Sequence, residues 1–489
     1  MNYYLAFDVG TTAMKCVLYD AGFDEISGCR IEYDLVIKGR TAELDAETYY
    51  NVFCECTDKI LSAGVSPAEI RAVTFTTQGE TIVPVDKNGE PLRRAIVWLD
   101  SRAEKETEFI IKKFGKEKFY RTTGLWEPDG ALPVSKVLWI KNNEPEIYEK
   151  THKFLLLEDY LIFKLTGKFV TEKSLVSSTG WYDIVNDRIN DVPDVCGIDE
   201  DKFPEVLDCG KIVSHVIPDK RAGLFENTFV VTGAMDQVAS AIGAGNIEEG
   251  VVTETTGTAL VLGATVEKPV FDCENPVTIY KHYDNRYIYM PFGNTAGVVL
   301  KWFRDNLSGK KTYRSIDKMA EKSAPGSRGV MLLPYFSGKN VDGNMPFAEG
   351  AFFGLTLGTK REDLTRSVLE GIAYMLREMT EALEAKDIKI SEVRSLGGGS
   401  TSDLWCEIKA SVLKRPIARN DYSETTAMGA AMLGAVACGE YKSIHDASET
   451  VLQTFCIIKP NINTEEVYEE GYRKYKLLYE TLRPIFMKK

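Results

Sequence analysis

Residues 3–20 read YYLAFDVGTTAMKCVLYD. Two apolar runs, 3–9 and 14–19, have the composition of buried strands, and a glycine and two threonines form the turn between them. One acid, Asp8, stands inside the first run directly before the turn. The turn Gly10-Thr11-Thr12 offers several backbone N–H groups and two hydroxyls within a short span, which suits phosphate oxygens. An acid beside it would position hydrated Mg2+. A plain hairpin turn with an incidentally buried aspartate fits the same residues, and the Walker pattern G-x-x-x-x-G-K-[ST] is absent. The balance shifts at mid-chain, where VVTETTGTALVLGAT (251–265) again reads strand, hydroxyl-and-glycine turn, strand. Two such turns, one in each half, would hold a polyphosphate from opposite sides.

Outward from these turns, 71–76 and 81–86 read as strands, and helical periodicity runs over 45–63, 101–114 and 133–148. FVVTGAMDQVASAIGAGN (229–246) reads as strand, turn and small-residue helix. The second half adds helices near 361–384, 402–414 and 424–438, and an amphipathic helix closes the chain. Strands mixed with helices in both halves predict an α/β fold in two domains, 1–246 and 247–489. A chain of 489 residues exceeds what one core supports.

Composition narrows the class. The formal net charge of −13 argues against nucleic-acid or anionic-membrane partners. No apolar run reaches the ~18 residues of a membrane helix. Met1 leads straight into strand-like sequence, so no signal peptide is expected. With ten scattered cysteines, the expected location is a reducing cytoplasm. The lone C-x-C at Cys54 and Cys56 lacks a second ligand pair and reads as structural. The four histidines have no metal or triad partner at recognisable spacing.

Two further stretches carry chemistry. GGGSTSD (397–403) is a glycine run between a strand and a helix, open to close approach of adenine and ribose or simply a tight turn. Asp236 lies between a strand and a small-residue helix. There it can take the proton of a hydroxyl attacking a γ-phosphate, and it can equally cap the helix.

With these residues the chain resembles the FGGY carbohydrate kinases, a group that includes xylulose, gluconate, ribulose and glycerol kinases. GAFFGLTLGTKREDLTRSVLEG (350–371) fits the family's C-terminal signature. LPVSKVLWIKNNEPEIY (132–148) is similar to its N-terminal one, with Ala131 where another residue type is usual. AIVWLDSRA, TTGTA, LGGGS and ETTAMGAAMLGAV also look like family blocks. The resemblance implies two actin-like ATPase (ribonuclease H-like) domains with the active site in an interdomain cleft, and ATP with Mg2+ as cofactors. It implies Asp8 as the metal-associated acid and Asp236 as the catalytic base. It places Thr11 and Thr12 in one phosphate turn and Gly257 and Thr258 in the other. Gly297 would line the phosphates, Gly398 and Gly399 the adenosine turn, and Asp403 a nearby nucleotide contact.

The implied acceptor segments lie around 78–80, 98–102, 126–131 and 236–237, with Gln78, Glu80, Trp98, Trp126, Asp129, Asp236 and Gln237 as candidates. Gly79 and Glu80 stand where xylulose kinases usually have Met-His-Gly. Glycerol kinases usually have Arg-Glu there and an aromatic near Ala131. The acceptor expected is a sugar or polyol, foremost a ketopentose such as xylulose. Gluconate, glycerol, erythritol and other ketoses remain alternatives, as does, in another class, a non-sugar actin-like ATPase. Trp98 fits a core position as well, and Asp129 a surface loop. A homodimer is held open as the assembly.

Overall fold

A computed structural model describes residues 2–126, 128–217, 223–340, 345–419 and 424–488. By packing, the chain forms two compact units. The first comprises 1–247, 267–288 and 424–453, and the second 248–266, 289–423 and 454–489.

In the first unit Tyr3–Val9 and Ala13–Asp20 form the antiparallel hairpin expected from the opening stretch. Tyr3–Val9 then pairs in parallel with Ile70–Thr77, which pairs in parallel with Phe229–Met235; Ile212–His215 closes that side antiparallel. In these central strands the interior positions are almost continuously buried, as expected of strands covered on both faces. The second unit repeats the plan. Leu260–Val266 is antiparallel to Gly250–Thr256, which is parallel to Ile390–Leu396. That strand is parallel to Ile417–Arg419, with Cys456–Ile458 antiparallel at the end. The recurrence seen in the sequence is thus a recurrence of topology.

A single cut near residue 247 does not describe the packing, because two later segments return to the first unit. The reason is visible at the helix Thr425–Ala437, which lies against the helix Asp236–Gly243. Gly429 and Gly243 pack so closely that a Cβ on either would strike the carbonyl oxygen of Ala239 or Thr425. The small residues after Asp236 serve this helix–helix contact. The helix predicted over 133–148 is two, Pro133–Asn143 and Pro145–Lys150. Between them Glu144 takes φ −134°, ψ 56°, because a residue before proline is driven out of helical geometry.

The register fixes where the chemistry falls. Val9, Thr77 and Met235 align across three adjacent parallel strands. The residues that follow them, Gly10, Gln78 and Asp236, therefore leave the sheet along one edge. This is the carboxyl edge, where open parallel sheets bind ligands.

Candidate active site

On the first unit, Asp8 sits one residue before that edge, opposite Lys15 and Thr76. Its carboxylate is 3.9 Å from the Lys15 ammonium, which hydrogen-bonds instead to Glu424 at 2.8 Å. Burial pushes the Asp8 carboxyl up to about 6, because Lys15 offsets desolvation only in part and Glu424 adds to it. The turn after it is closed by Gly10 N–H donating to Ala13 O at 3.0 Å, with the Tyr33 hydroxyl on Gly10 O. Thr11 is half-buried and Thr12 exposed, and the Thr11 hydroxyl accepts the Trp98 indole N–H at 2.9 Å.

Asp236 is the first residue of its helix. Its Oδ1 accepts the N–H of the next residue, Gln237, at 2.7 Å; Met235 holds the N-cap position and no side chain caps the helix, so Asp236 stands in the first turn as an acid near the helix start and not as its cap. It is half-buried, and desolvation, with Asp8 adding repulsion, pushes it up to about 7. Glu80 follows the buried Gln78 and adopts a left-handed φ of 66°. Desolvation raises its carboxyl, Lys136 opposes the rise, and Asp129 and Asp236 add to it. Gln78 Oε1 is buried with no partner among the described residues. Asp129 is exposed, with Oδ1 accepting from Ala131 N–H at 2.8 Å.

The structure thus groups Asp8, Asp236, Glu80 and Asp129 in one electrostatic neighbourhood. Trp98 is 39% exposed, so the core alternative for it is excluded. Trp126 packs edge-on to Tyr120 with the Lys116 ammonium 4.2 Å from its ring centre. Its neighbour Glu127, within the acceptor stretch 126–131, lies outside the described residues. In the stretch 98–102, Asp100 and Arg102 are committed to each other. Asp100 is fully buried and takes Arg102 Nε at 2.8 Å and the N–H of Ala42 at 2.7 Å, while Arg102 also reaches Glu43 at 2.6 Å.

Two residues here escaped the sequence reading. Lys136 is fully buried and acts on Glu80 and Asp129. Its signal was available: in PVSKVLWI (133–140) one lysine stands among apolar and small residues, and where such a run is buried the lysine needs partners. Tyr280 lies in the strand Ile279–Lys281, within electrostatic reach of Glu80 and Asp236. Two of its backbone N–H groups pin that strand to the first unit, Ile279 N–H donating to the main-chain Gly124 O at 3.0 Å and Lys281 N–H to the Ser177 hydroxyl at 3.2 Å. Nothing local in the sequence marks this return.

On the second unit a cavity of about 800 Å3 is lined by Gly257, Thr258, Gly297, Gly398, Gly399 and Asp403, all six of the nucleotide candidates in this half. The turn and the helix Gly297–Leu307 are stitched together. Gly297 N–H donates to Gly257 O at 2.8 Å and Ala296 N–H to Thr258 O at 2.9 Å, so a helix N-terminus opens at the turn. Gly399 packs on Thr256: a Cβ there would lie 2.6 Å from Thr256 Cβ. Asp403, at the start of the helix Asp403–Leu413, accepts from Arg419. Beneath the turn is a fully buried ion pair. Lys409 Nζ donates to both Glu254 oxygens at 2.8 and 3.0 Å and to Thr256 Oγ1 at 2.9 Å. Among the described residues no helix is long and apolar enough to cross a membrane.

Residues 3–243 match the family model for the FGGY family of carbohydrate kinases, N-terminal domain, and residues 252–438 match that for its C-terminal domain. The chain belongs to the FGGY family of carbohydrate kinases. As an FGGY kinase it is a phosphotransferase acting on the hydroxyl of a sugar or polyol, and its family implies ATP as the phosphoryl donor. It is 27% identical to a gluconokinase of Bacillus subtilis, covering 99% of this chain and 95% of that one. It is 26% identical to a xylulose kinase of Staphylococcus xylosus, covering 98% and 100%. It is 30% identical to a glycerol kinase of Thermococcus gammatolerans, covering 97% of each. The solved xylulose kinase of Rhodospirillum rubrum shares its fold with a TM-score of 0.90, at 24% identity over 99% of this chain and 100% of that one. The FGGY kinase has the two-domain, actin-like α/β ATPase fold.

Proposed function

We propose that this FGGY kinase phosphorylates a neutral, open-chain sugar or polyol, foremost a ketopentose such as xylulose. The observation that carries the reading is the charge around Asp236. The groups acting on it and on Glu80 are chiefly acids, and the cations nearby are engaged. Lys136 is held by main-chain carbonyls, Arg102 by Asp100 and Glu43, and Lys15 by Glu424. Such a surface accepts hydrogen bonds from many hydroxyls, whereas a sugar acid would bring a further negative charge to a neighbourhood of acids in which Lys136, Arg102 and Lys15 already have partners.

In this reading Asp236 orients the attacking hydroxyl and takes its proton. Its carboxyl, poised near 7, suits a general base at neutral pH. Gln78, Glu80, Asp129 and Gln237 hydrogen-bond the remaining hydroxyls, and Trp98 and Trp126 cover carbon faces. Thr11, Thr12, Gly257 and Thr258 donate to phosphate oxygens, Gly297 lines the phosphates, and Gly398, Gly399 and Asp403 receive the adenosine. Asp8 fits an Mg2+ site: burial raises its proton affinity, and its nearest cation stays beyond hydrogen-bonding distance. Mg2+ usually takes only one or two carboxylates besides water and substrate phosphates. When bound it would neutralise charge on the phosphate oxygens.

The test is ADP release with Mg-ATP and a panel of D-xylulose, D- and L-ribulose, erythritol, glycerol and gluconate. The highest kcat/KM is expected with a ketopentose. Gluconate as the best acceptor would overturn the neutral-acceptor reading, and silence with every ketopentose of the panel would overturn the ketopentose reading.

A further inference from the structure

Lys136 combines features that a structural lysine rarely shows together. It is wholly buried on the helix Pro133–Asn143, and its ammonium donates to the main-chain carbonyls of Glu80 and Val97, each at 3.0 Å. One carbonyl belongs to the acceptor segment 78–80, and the other lies immediately before the segment 98–102. Glu80 holds a left-handed φ of 66°, which side chains other than glycine adopt only when their surroundings enforce it. Val97 directly precedes Trp98, whose indole reaches the Thr11 hydroxyl. An ammonium has three donors, so two carbonyl bonds leave one for the acids around it. The charged groups that act on Lys136 are Glu80, Asp100 and Asp129, with Arg102 behind Asp100.

We propose that Lys136 is a positioning residue for the acceptor. It ties the Glu80 carbonyl to the segment that carries Trp98 and so holds Glu80 in its left-handed conformation with the carboxylate facing the acceptor hydroxyls. This rests on the acceptor-side reading above. The strain at Glu80 explains why the tie is needed. A residue that would relax towards negative φ carries its carboxylate away, and a glutamate one rotamer out of place no longer meets a hydroxyl. A neutral side chain would serve ordinary packing at this point at lower desolvation cost, so the ammonium is accounted for by the two carbonyls and the acids it joins.

The experiment compares wild type, Lys136→Met, Glu80→Gln and the double variant with the best acceptor found. Lys136→Met is expected to raise the acceptor KM at least tenfold while the KM for ATP moves less than twofold. The double variant is expected to be no more than twofold worse than Glu80→Gln alone, because the lysine acts through that carboxylate. Multiplicative losses, equal changes in both KM values, or an unchanged acceptor KM overturn the proposal.

A second arm needs no acceptor and stands if the substrate reading fails. Glycine takes positive φ without strain. Glu80→Gly combined with Lys136→Met should therefore recover at least half of the Tm lost in Lys136→Met, or restore soluble protein if the single variant does not fold. Glu80→Ala combined with Lys136→Met should not. If glycine and alanine behave alike, or if neither restores folding, Lys136 does not act by holding Glu80.

Discussion

Gly398 and Gly399 are neighbours in one turn, and the structure predicts opposite consequences for alanine at each. A Cβ on Gly399 would lie 2.6 Å from Thr256 Cβ and 2.9 Å from its Cγ2. Carbon pairs settle near 3.5 Å, so about 1 Å must be found by moving the turn or the threonine. Thr256 cannot yield easily, because its hydroxyl is held at 2.9 Å by Lys409, itself fully buried against Glu254. The turn moves instead. Overpacking of this kind costs about 1–3 kcal/mol of stability, and a displacement of ~1 Å at a binding turn lowers kcat/KM for ATP by about 100-fold. A Cβ on Gly398 meets nothing within 4 Å, and its φ is not left-handed, so alanine there leaves stability within about 0.5 kcal/mol. Its methyl enters the open space beside a turn that lines the cavity, and ADP affinity should fall without loss of Tm. Denaturant melts, ADP titration by calorimetry and steady-state kinetics in ATP read these quantities separately. Wild-type stability and ATP kinetics in Gly399→Ala, or a Tm loss in Gly398→Ala equal to that in Gly399→Ala, would refute the reasoning.

Asp236→Asn is expected to lower turnover by about 10²–10⁴-fold; near-normal turnover would remove it from the mechanism. The carboxyl is raised from 3.8 to about 7 in the folded chain, so between pH ~4 and ~7 the folded state holds more protons than the unfolded one. Stability therefore declines as pH rises through that window. The asparagine variant should show a higher Tm than wild type at pH 8 and no gain at pH 4, and kcat/KM for the acceptor in wild type should rise with pH through about 7 and then level. Lys409→Met leaves Glu254 buried without its cation and should cost about 3–5 kcal/mol, with a loss of ADP affinity; a melt within 1 kcal/mol of wild type would contradict the buried network. Trp98→Phe removes the donor to the Thr11 hydroxyl, worth about 0.5–1.5 kcal/mol, and a KM for ATP unchanged by the substitution would show that the bond does not order the turn.

Much of the fold was legible because its signals are local. Continuous apolar runs such as 3–9 and 229–235 mark strands buried on both faces, and the repeated strand–turn–strand plan places glycine and hydroxyl residues at the turns in both halves. Asp8 and Asp236 stood out because an acid beside a buried run is costly and needs a reason. The tertiary structure decided what depends on distant segments meeting. Register alone brings the ends of strands 3–9, 70–77 and 229–235 to one edge. Only packing shows that 267–288 and 424–453 return to the first unit, bringing Tyr280 and Glu424 to its acids. In the stretch 98–102 folding satisfies Asp100 and Arg102 with each other, a pairing that only the tertiary structure shows. Glu80, one more acid after a strand in the sequence, has a left-handed backbone and a carbonyl that accepts from a lysine 56 positions away, and no local pattern encodes a contact made across that separation.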